Sequence, residues 1–325
     1  MSDPVIYSII VPVYNEEDVV TETYHRLKLV LERVDEPYEM IFVDDGSHDR
    51  TALLLKRLAV EDPGLRLIEF SRNFGHQLAI TAGMDFASGR ALVVIDGDLQ
   101  DPPEVIPRLI AGWKAGYDVV YAQRRERQGE NWFKKFSARC FYRLLRRMTD
   151  VAIPVDTGDF RLIDARVNRE LQTIRERNRY IRGLISWLGF RQIGIVYIRD
   201  ERHQGKTKFS LGKMIHFALD AITSFSDKPL RIASYMGFFL SGASFVYLMV
   251  VLYQKIFTNS TVPGWASILA VNLFFNGIIL MILGIIGEYI SRIYDEAKGR
   301  PLYVIRGLTN LPNRQDIKKD GGDYR

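Results

Sequence analysis

The sequence predicts an α/β domain with a mostly parallel β-sheet, joined to a C-terminal hairpin of two transmembrane helices. Three observations lead to this fold class. Short apolar runs alternate with helical stretches over residues 1–120, a basic amphipathic stretch covers 124–147, and two long apolar runs lie between 232 and 287. Apolar strands that alternate with helices favour a parallel sheet covered on both faces.

The composition is that of a chain with a large buried core. Of the 325 residues, 47% are hydrophobic and 26% are charged, and the formal net charge is +5. These values exclude a disordered or collagen-like chain. The single cysteine, Cys140, excludes both an internal disulfide framework and a cysteine-rich zinc site, and is consistent with a reducing compartment.

The expected elements follow from the spacing of apolar residues. Strands are predicted at 5–13, 40–43, 65–70, 91–95, 118–121 and 155–163, with an edge strand at 190–198. Helices are predicted at 17–33, 50–60, 75–86, 103–115 and 165–174. Ligands bind beyond the carboxyl ends of the strands in such sheets, so the functional side chains should follow the strands.

Two amphipathic helices are expected to lie at a membrane surface. Residues 124–147 contain nine Lys or Arg against two Glu, with apolar residues at helical spacing. A solvated charged face is the ordinary explanation, and a helix that meets anionic headgroups or a lipid phosphate is the alternative. The second helix, at 209–226, also carries an apolar stripe.

Two long apolar runs lie at 232–254 and 265–287. Over the whole stretch from 232 to 287, Lys255, in the segment between the runs, is the one formally charged residue. Each run has about 23 residues, or roughly 35 Å as a helix, which is enough to cross a bilayer core of about 30 Å. A buried helical hairpin in a soluble core is the alternative. Lys and Arg flank the pair outside the connecting loop, which predicts a multi-pass protein of the inner (cytoplasmic) membrane with both termini cytoplasmic. No cleavable signal peptide is recognised.

Three acidic or polar clusters follow predicted strands: PVYNEE at 12–17, VDDGS at 43–47 and DGDLQD at 96–101. Helix N-capping is a good alternative explanation for Asn15, Ser47 and Asp101. Three clusters at one edge of a sheet nevertheless favour a site. The oxygens of Asp96, Asp98 and Gln100 suit Mg²⁺ or Mn²⁺ bridging a diphosphate. No glycine-rich dinucleotide or P-loop motif occurs, so a metal is the remaining way to neutralise a diphosphate.

The clusters, together with SRNFG at 71–75, TGDFRL at 157–162, the loop 202–210 and GEYISRIY at 287–294, resemble a known family. They are similar to the GT-A (Rossmann-like) fold of family 2 glycosyltransferases. More narrowly, they resemble polyprenyl-phosphate glycosyltransferases, the bactoprenol glucosyltransferases and the dolichol-phosphate mannose synthase relatives. The resemblance covers nearly the whole chain.

The resemblance implies a role for several residues. The nucleoside pocket would be lined by Pro12, Tyr14 and Glu16, and Asp44 would hydrogen-bond the base. Asp96 would lie beside the metal and the donor diphosphate, with Asp98 and Gln100 as the metal ligands. Arg124 and, more loosely, Lys135 would hold the acceptor phosphate. Arg202 and Lys208 would counter the charge of the leaving nucleotide on a closing loop, for which an ordinary surface loop is the alternative.

Asp159 is expected to face the anomeric carbon or the acceptor. The alternative is a structural ion pair with Arg161. A lipid phosphate is already an anion near neutral pH, so positioning and charge stabilisation matter more than a strong base. We therefore expect Asp159 to orient the reactants; whether it also acts as a base stays open.

The expected activity is inverting, metal-dependent transfer of a hexose, glucose from UDP-glucose, to polyprenyl (undecaprenyl) phosphate at the cytoplasmic membrane face. The alternatives are the same reaction with mannose, an N-acetylhexosamine or aminoarabinose, and a non-catalytic lipid- or nucleotide-binding scaffold. A processive polysaccharide synthase is disfavoured because no Trp follows an Arg, and a soluble nucleotidyltransferase because of the two spans.

The expected domains are a cytoplasmic GT-A domain (1–208), an interfacial amphipathic helix (209–229), two transmembrane helices (230–293) and a cytoplasmic C-terminal tail (294–325). Besides the nucleotide-sugar, the polyprenyl phosphate and the membrane, the resemblance implies a homo-oligomer. A nucleic acid is not an expected partner.

Overall fold

The computed structural model describes residues 4–124, 157–198, 226, 228–257 and 264–311. The chain divides into two compact units: an α/β unit, which includes residues 300–311, and a second unit that contains two long helices. The basic stretch that follows Arg124, up to 147, and the predicted surface helix at 209–226 fall almost entirely outside the described residues.

The α/β unit is built on an eight-stranded sheet. Its strands are β1 (Tyr7–Val13), β2 (Tyr38–Asp44), β3 (Leu65–Phe70), β4 (Ala91–Val94), β5 (Val119–Arg124), β6 (Thr157–Asp164), β7 (Gln192–Tyr197) and β8 (Ile305–Thr309). Their order across the sheet is β7-β5-β6-β4-β1-β2-β3-β8. Strands β4, β1, β2 and β3 run parallel, as do β5 and β7. The mostly parallel α/β fold is confirmed, and β7 lies at an edge as expected.

Helices cover the sheet on both faces. They are α1 (Val20–Val34), α2 (Thr51–Glu61), α3 (His76–Phe86), α4 (Ile106–Lys114), α5 (Ala165–Thr173) and α6 (Ile181–Trp187), and a 3-10 turn (Pro103–Val105) precedes α4. One core cluster joins alternate residues of β1 and β2 to α1, α2 and α4. A second cluster joins the opposite face of β2 and β3 to α3. Burial on both faces explains why these strands have nearly continuous apolar sequences.

Strand β6 runs antiparallel between β4 and β5. In this register Val94 lies opposite Arg161. Continuing the register by two residues puts Asp96, which lies just past β4, opposite Asp159 near the start of β6. The antiparallel strand therefore returns an acidic residue to the edge where the parallel strands end.

Strand β8 was not predicted from the sequence, where 294–325 was expected to be a tail. It pairs antiparallel to β3 at the end of the sheet. Just before it, the Tyr303 ring stacks on Phe70, with ring centroids 5.1 Å apart and 15° between the planes. The buried Glu69 carboxylate of β3 is paired with Lys56 at 2.9 Å and with Arg306 of β8 at 3.0 Å. A five-residue strand with an Arg and a Gly inside it has no apolar periodicity to reveal it.

The second unit contains α7 (Lys228–Phe257) and α8 (Trp265–Ala297), which contact each other. Large apolar side chains point outward along them; Phe238 is 81% and Leu280 69% exposed. Among the described residues, one helical segment, Phe274–Ala297, is long and apolar enough to cross a membrane. Exposed apolar surface of this extent indicates that the helices are covered by a membrane or by other protein.

Candidate active site

The polar clusters that follow β1, β2 and β4 meet at one edge of the sheet. The register pairs Val13 at the end of β1 with Asp44 at the end of β2. The backbone N–H of Ile95, beyond β4, donates to the carbonyl of Ile10 in β1 at 3.0 Å, so the Asp96 cluster begins beside the same strand. Three strands that run in the same direction thus bring the three clusters together.

The loops after β1 and β2 are joined by Asn15 and Ser47. The Asn15 backbone N–H donates to Ser47 Oγ at 3.0 Å, and Asn15 Oδ1 accepts from the His48 N–H at 2.9 Å. Neither side chain caps a helix, because α1 and α2 begin after Val19 and Arg50 without a side-chain cap. The N-cap explanation for these two residues is therefore wrong; they join the loop after β1 to the loop after β2.

Asp44 is a buried carboxylate with one uncommitted oxygen. Its Oδ1 accepts from the Ser47 N–H at 3.1 Å, whereas its Oδ2 is buried and has no hydrogen-bond partner. Burial raises the pKa of Asp44 above its ordinary value, although the hydrogen bonds from Ser47 oppose this. An acceptor left unsatisfied inside a protein is costly unless a ligand completes it. Asp44 is therefore ready to accept a hydrogen bond from a bound molecule.

The other predicted nucleoside-pocket residues lie on the β1 side of Asp44. Pro12 is buried in β1 and pairs with Val43, and Tyr14 is 40% exposed just past the strand. The Glu16 N–H donates to Thr51 Oγ1 at 2.9 Å, which ties this loop to the start of α2. All three therefore lie on the strand end and loop that border Asp44.

Asp45 fixes the start of helix α3. Its two carboxylate oxygens accept from the N–H groups of Phe74 at 2.7 Å and Gly75 at 2.9 Å. Gly75 has a φ of 106°, which a glycine adopts readily and which turns the chain into α3. A carboxylate at a helix N-terminus is also favoured by the helix dipole. Asp45 therefore positions the first side chains of α3.

The cluster after β4 presents oxygen ligands with uncommitted atoms. Asp98 Oδ1 accepts from the Gln100 N–H at 3.1 Å, across Leu99 with a φ of 56°. Asp96 Oδ1 and Gln100 Nε2 are buried and make no hydrogen bond. Burial raises the pKa of Asp96 to about 6; the nearby His76 lowers it, and the neighbouring carboxylates raise it.

This donor set fits a divalent cation that keeps water and diphosphate ligands. Carboxylate and amide oxygens are hard donors, and the orphaned Asp96 Oδ1 suits a cation, whereas the orphaned Gln100 Nε2 needs an acceptor such as a diphosphate oxygen. Across the part of the chain that is described, no group of three or more His, Cys, Asp and Glu side chains could hold a metal on its own. An incomplete set of protein ligands is usual for Mg²⁺ or Mn²⁺ at a diphosphate.

Asp159 lies at the centre of a donor network. Its Oδ2 is 3.2 Å from His76 Nε2 and accepts from Gln77 Nε2 at 3.1 Å, and its Oδ1 is 3.0 Å from Arg182 Nε. Burial alone would raise the pKa of Asp159, but the His76 hydrogen bond and the Arg182 and Arg161 charges hold it well below its usual range. Asp159 is an ionised, firmly held carboxylate.

Arg161 shares the face of β6 on which Asp159 lies. Its guanidinium donates to the Gly158 carbonyl at 2.9 Å, and its burial lowers its pKa to about 10, against the raising effect of Asp159. Asp159 does form a structural ion pair, but its partner at ion-pair distance is Arg182 rather than the expected Arg161. Asp159 could both form a structural ion pair and face the reactants, because the two roles do not exclude each other.

Three residues of this network were missed in the sequence: His76, Gln77 and Arg182. His76 and Gln77 directly follow the SRNFG motif, so continuing that motif by two residues would have found them. Gln77 also accepts the Ile181 N–H at 3.1 Å and thereby ties α3 to α6. Arg182 lies in a helix whose sequence carries no signal of a site, and only the fold places it here.

The remaining predicted residues are only partly described. Arg124 is the last residue of β5 and pairs through its backbone register with Tyr197. Lys135, Arg202 and Lys208 lie outside the described residues. Asp101 does not cap α4; the Tyr197 hydroxyl donates to its carboxylate, which fastens the cluster after β4 to β7.

A mostly parallel α/β sheet with three acidic clusters at its carboxyl edge and an antiparallel strand returning Asp159 defines a GT-A glycosyltransferase. Comparison with known proteins agrees: residues 8–172 match glycosyl transferase family 2, and residues 228–293 match the GtrB C-terminal hairpin. The chain belongs to glycosyl transferase family 2.

Several relatives match over nearly their whole length. An uncharacterized glycosyltransferase, YkcC of Bacillus subtilis (strain 168), is 55% identical over 97% of this chain and 98% of its own. The bactoprenol glucosyl transferase of Shigella phage SfII is 40% identical over 92% and 97%. Among solved structures, glucosyl-3-phosphoglycerate synthase from Mycobacterium tuberculosis covers 68% of this chain and 79% of its own, at 21% identity and a TM-score of 0.48. Similarity at that level carries no information on substrate or metal.

Proposed function

We propose that this glycosyltransferase transfers a hexose, glucose from UDP-glucose, to a polyprenyl phosphate at the cytoplasmic face of a membrane, with inversion at C1. The observation that carries the proposal is the meeting of oxygen ligands at the end of β4 with the ionised Asp159 of β6. Relatives named bactoprenol glucosyl transferases, at 40% identity over 92% of the chain, support the acceptor and the sugar.

The donor base is recognised by Asp44. Its buried, unsatisfied Oδ2 can accept a hydrogen bond when the carboxyl is ionised, or when the proton of a neutral carboxyl is on Oδ1. Uracil and guanine each present a ring N–H that suits such an acceptor, whereas cytosine and adenine can donate to it only through their exocyclic amino groups. Asp44 therefore favours a UDP- or GDP-sugar, and Pro12, Tyr14 and Glu16 border the base.

Asp98 and Gln100 would hold the divalent metal, Mg²⁺ or Mn²⁺, with Asp96 nearby, and the donor diphosphate would supply further oxygen ligands. The ion, when bound, neutralises charge that develops on the departing nucleotide. Arg202 and Lys208 add positive charge at the same diphosphate. This arrangement replaces the backbone phosphate cradle that the sequence lacks.

Asp159 orients the reactants and does not serve as a general base. A carboxylate whose pKa lies well below its usual range is a poor proton acceptor at neutral pH. The acceptor phosphate needs no base, because it is already an anion that can attack C1 in line. Arg124 and Lys135 hold that phosphate, and orientation supplies the rate enhancement.

The hairpin anchors the enzyme to the membrane that holds the lipid acceptor. The outward apolar side chains of α7 and α8 and the match of 228–293 to the GtrB hairpin support two transmembrane spans. With both termini cytoplasmic, the proposed division is a GT-A domain at 1–208, an interfacial helix at 209–229, the spans at 230–293 and a tail at 294–325. We further propose that the chain assembles with copies of itself.

The test is transfer of radiolabelled sugar into the organic phase. The full-length protein is incubated with undecaprenyl phosphate, Mg²⁺, Mn²⁺ or EDTA, and a panel of UDP- and GDP-sugars. Label with UDP-glucose that is abolished by EDTA and by Asp98→Asn supports the proposed donor, acceptor and metal dependence. Label with a different sugar corrects the donor alone. No label with any donor, although nucleotide binds, favours a non-catalytic scaffold.

A further inference from the structure

His76 is the first residue of α3. Hydrogen bonds of the neighbouring backbone hold it in place independently of its side chain. The two N–H groups that precede it, those of Phe74 and Gly75, are bonded to the Asp45 carboxylate. The Gly75 carbonyl then accepts from the N–H groups of Leu78 and Ala79 at 3.0 and 3.1 Å. The imidazole therefore projects from a rigid helix start toward the edge of the sheet.

One ring nitrogen of His76 lies between two carboxylates, that of Asp159 in β6 and that of Asp96 in the loop after β4. Nε2 is 3.2 Å from Asp159 Oδ2 and 3.4 Å from Asp96 Oδ1. The first contact has hydrogen-bond geometry, whereas Asp96 Oδ1 has no hydrogen-bond partner, so the second is an electrostatic contact. A nitrogen with one proton donates to one carboxylate and attracts the other.

Two carboxylates at one sheltered edge would otherwise repel each other. Asp159 also has Gln77 and Arg182 as donors, but Asp96 has only the His76 ring within ion-pair distance in the described part of the chain. Asp96 belongs to the donor-diphosphate half of the site, and Asp159 to the half that faces the sugar and the acceptor. His76 is thus the side chain that links the halves.

We propose that His76 is a positioning residue that holds Asp96 and Asp159 at a fixed separation through Nε2, and so aligns the diphosphate with the attacking phosphate. The inference rests on the proposed function. The His76 link should affect the rate of transfer rather than the affinity for the donor. Donor binding uses the diphosphate half of the site alone, whereas transfer also requires the two halves to be aligned.

The experiment compares three full-length variants in the labelled-sugar assay. His76→Phe keeps a ring of similar size but removes the donor, and His76→Gln keeps an N–H donor at a similar reach. His25→Phe makes the same change at an exposed histidine of α1, whose ring packs edge-on to Tyr24 at 5.1 Å. Thermal unfolding and the Kd for Mn²⁺ with UDP are measured for each variant.

We expect His76→Phe to lower kcat about 30-fold, with KM for the donor and the Mn²⁺–UDP Kd within about threefold of the wild type. His76→Gln should restore kcat to within about fivefold of the wild type, and His25→Phe should match the wild type. Loss of folding alone would not lower kcat while leaving KM and Kd unchanged, and the amide donor of His76→Gln would not reverse it.

Three results would overturn the inference. An unchanged kcat in His76→Phe would show that the link is dispensable. Equal losses in His76→Phe and His76→Gln, with equal falls in unfolding temperature, would show a purely structural role. A wild-type protein that transfers no sugar would remove the proposed function and this inference with it, and is recognised because the wild-type control itself fails.

Discussion

Asp159 and Arg182 form an ion pair in which Oδ1 and Nε are 3.0 Å apart, at a carboxylate that also receives two donors from α3. The ionised form is favoured so strongly that the pKa lies well below its ordinary value, despite burial. A carboxyl whose pKa is lowered on folding stabilises the folded state above its unfolded pKa and loses that contribution as the pH falls through its folded pKa.

The first prediction concerns pH. Asp159 should stay ionised throughout pH 5–8, so the rate of the wild-type enzyme should show no acidic limb due to its protonation. Asp159→Asn should lower kcat about 100-fold at every pH in this range, because orientation and charge are lost rather than a base. The profile of kcat against pH checks this; an acidic limb present in the wild type and absent from Asp159→Asn would contradict it.

The second prediction concerns the metal. Asp98→Asn replaces a charged oxygen ligand with a neutral one, so the affinity for Mn²⁺ in the presence of UDP should fall about tenfold or more. Electron paramagnetic resonance of free Mn²⁺ measures it. Asp35→Asn is the control, because Asp35 is exposed at a left-handed position (φ 55°) that Asn tolerates. Equal Mn²⁺ binding by the two variants would rule out Asp98 as a ligand.

The third prediction compares two glycines with positive φ. A Cβ on Gly46 (φ 72°) would lie 2.4 Å from the backbone carbon of Arg72, whereas a Cβ on Gly116 (φ 93°) would meet open space. Backbone strain of about 1–3 kcal/mol applies to both. Gly46→Ala should therefore unfold at a lower temperature than Gly116→Ala. It should also lose activity, because it displaces the SRNFG loop; calorimetry and the transfer assay measure the two effects.

The fourth prediction concerns the residue after β8. Asn310 (φ 57°) donates through Nδ2 to the carbonyls of Ala59 at 2.7 Å and Leu65 at 2.9 Å. Asn310→Asp keeps the size of the side chain and its tolerance of a left-handed backbone. It replaces the donating Nδ2 with a carboxylate oxygen that faces two carbonyl oxygens. The free energy of unfolding should fall by about 1–3 kcal/mol. Urea unfolding of the full-length protein tests this, and a change no larger than that of Asp35→Asn would refute it.

Much of the fold could be predicted because its strands are buried on both faces. The predicted strand at 65–70 coincides with β3, and the predicted helices at 50–60 and 75–86 differ from α2 and α3 by one residue at most. Strand β8 escaped prediction because IRGLT has no apolar alternation and is recruited by Glu69 and Phe70, far away in the chain. Long-range pairing decided this element, not local preference.

The site was predictable to the extent that it lies in loops after parallel strands. The shared position of Asp44, Asp96 and Asp98 at one edge was predictable because each parallel strand brings the residues that follow it to that edge; their roles stay predictions. The interpretation of Asn15 and Ser47 as helix N-caps was wrong. Their hydrogen bonds join two loops and do not reach the N–H groups of the helices that follow. Arg182 reaches Asp159 only through the placement of α6, which no local pattern encodes.

The position of β8 at the far end of the chain has a consequence for biosynthesis. A ribosome completes β3 long before it reaches residue 305, and α7 and α8 are translated in between. During that interval the outer edge of β3 carries unpaired backbone groups and the Phe70 ring lacks Tyr303, which is the kind of surface that chaperones bind. A stop codon at residue 300 would leave the hairpin whole and the nascent sheet permanently open at that edge.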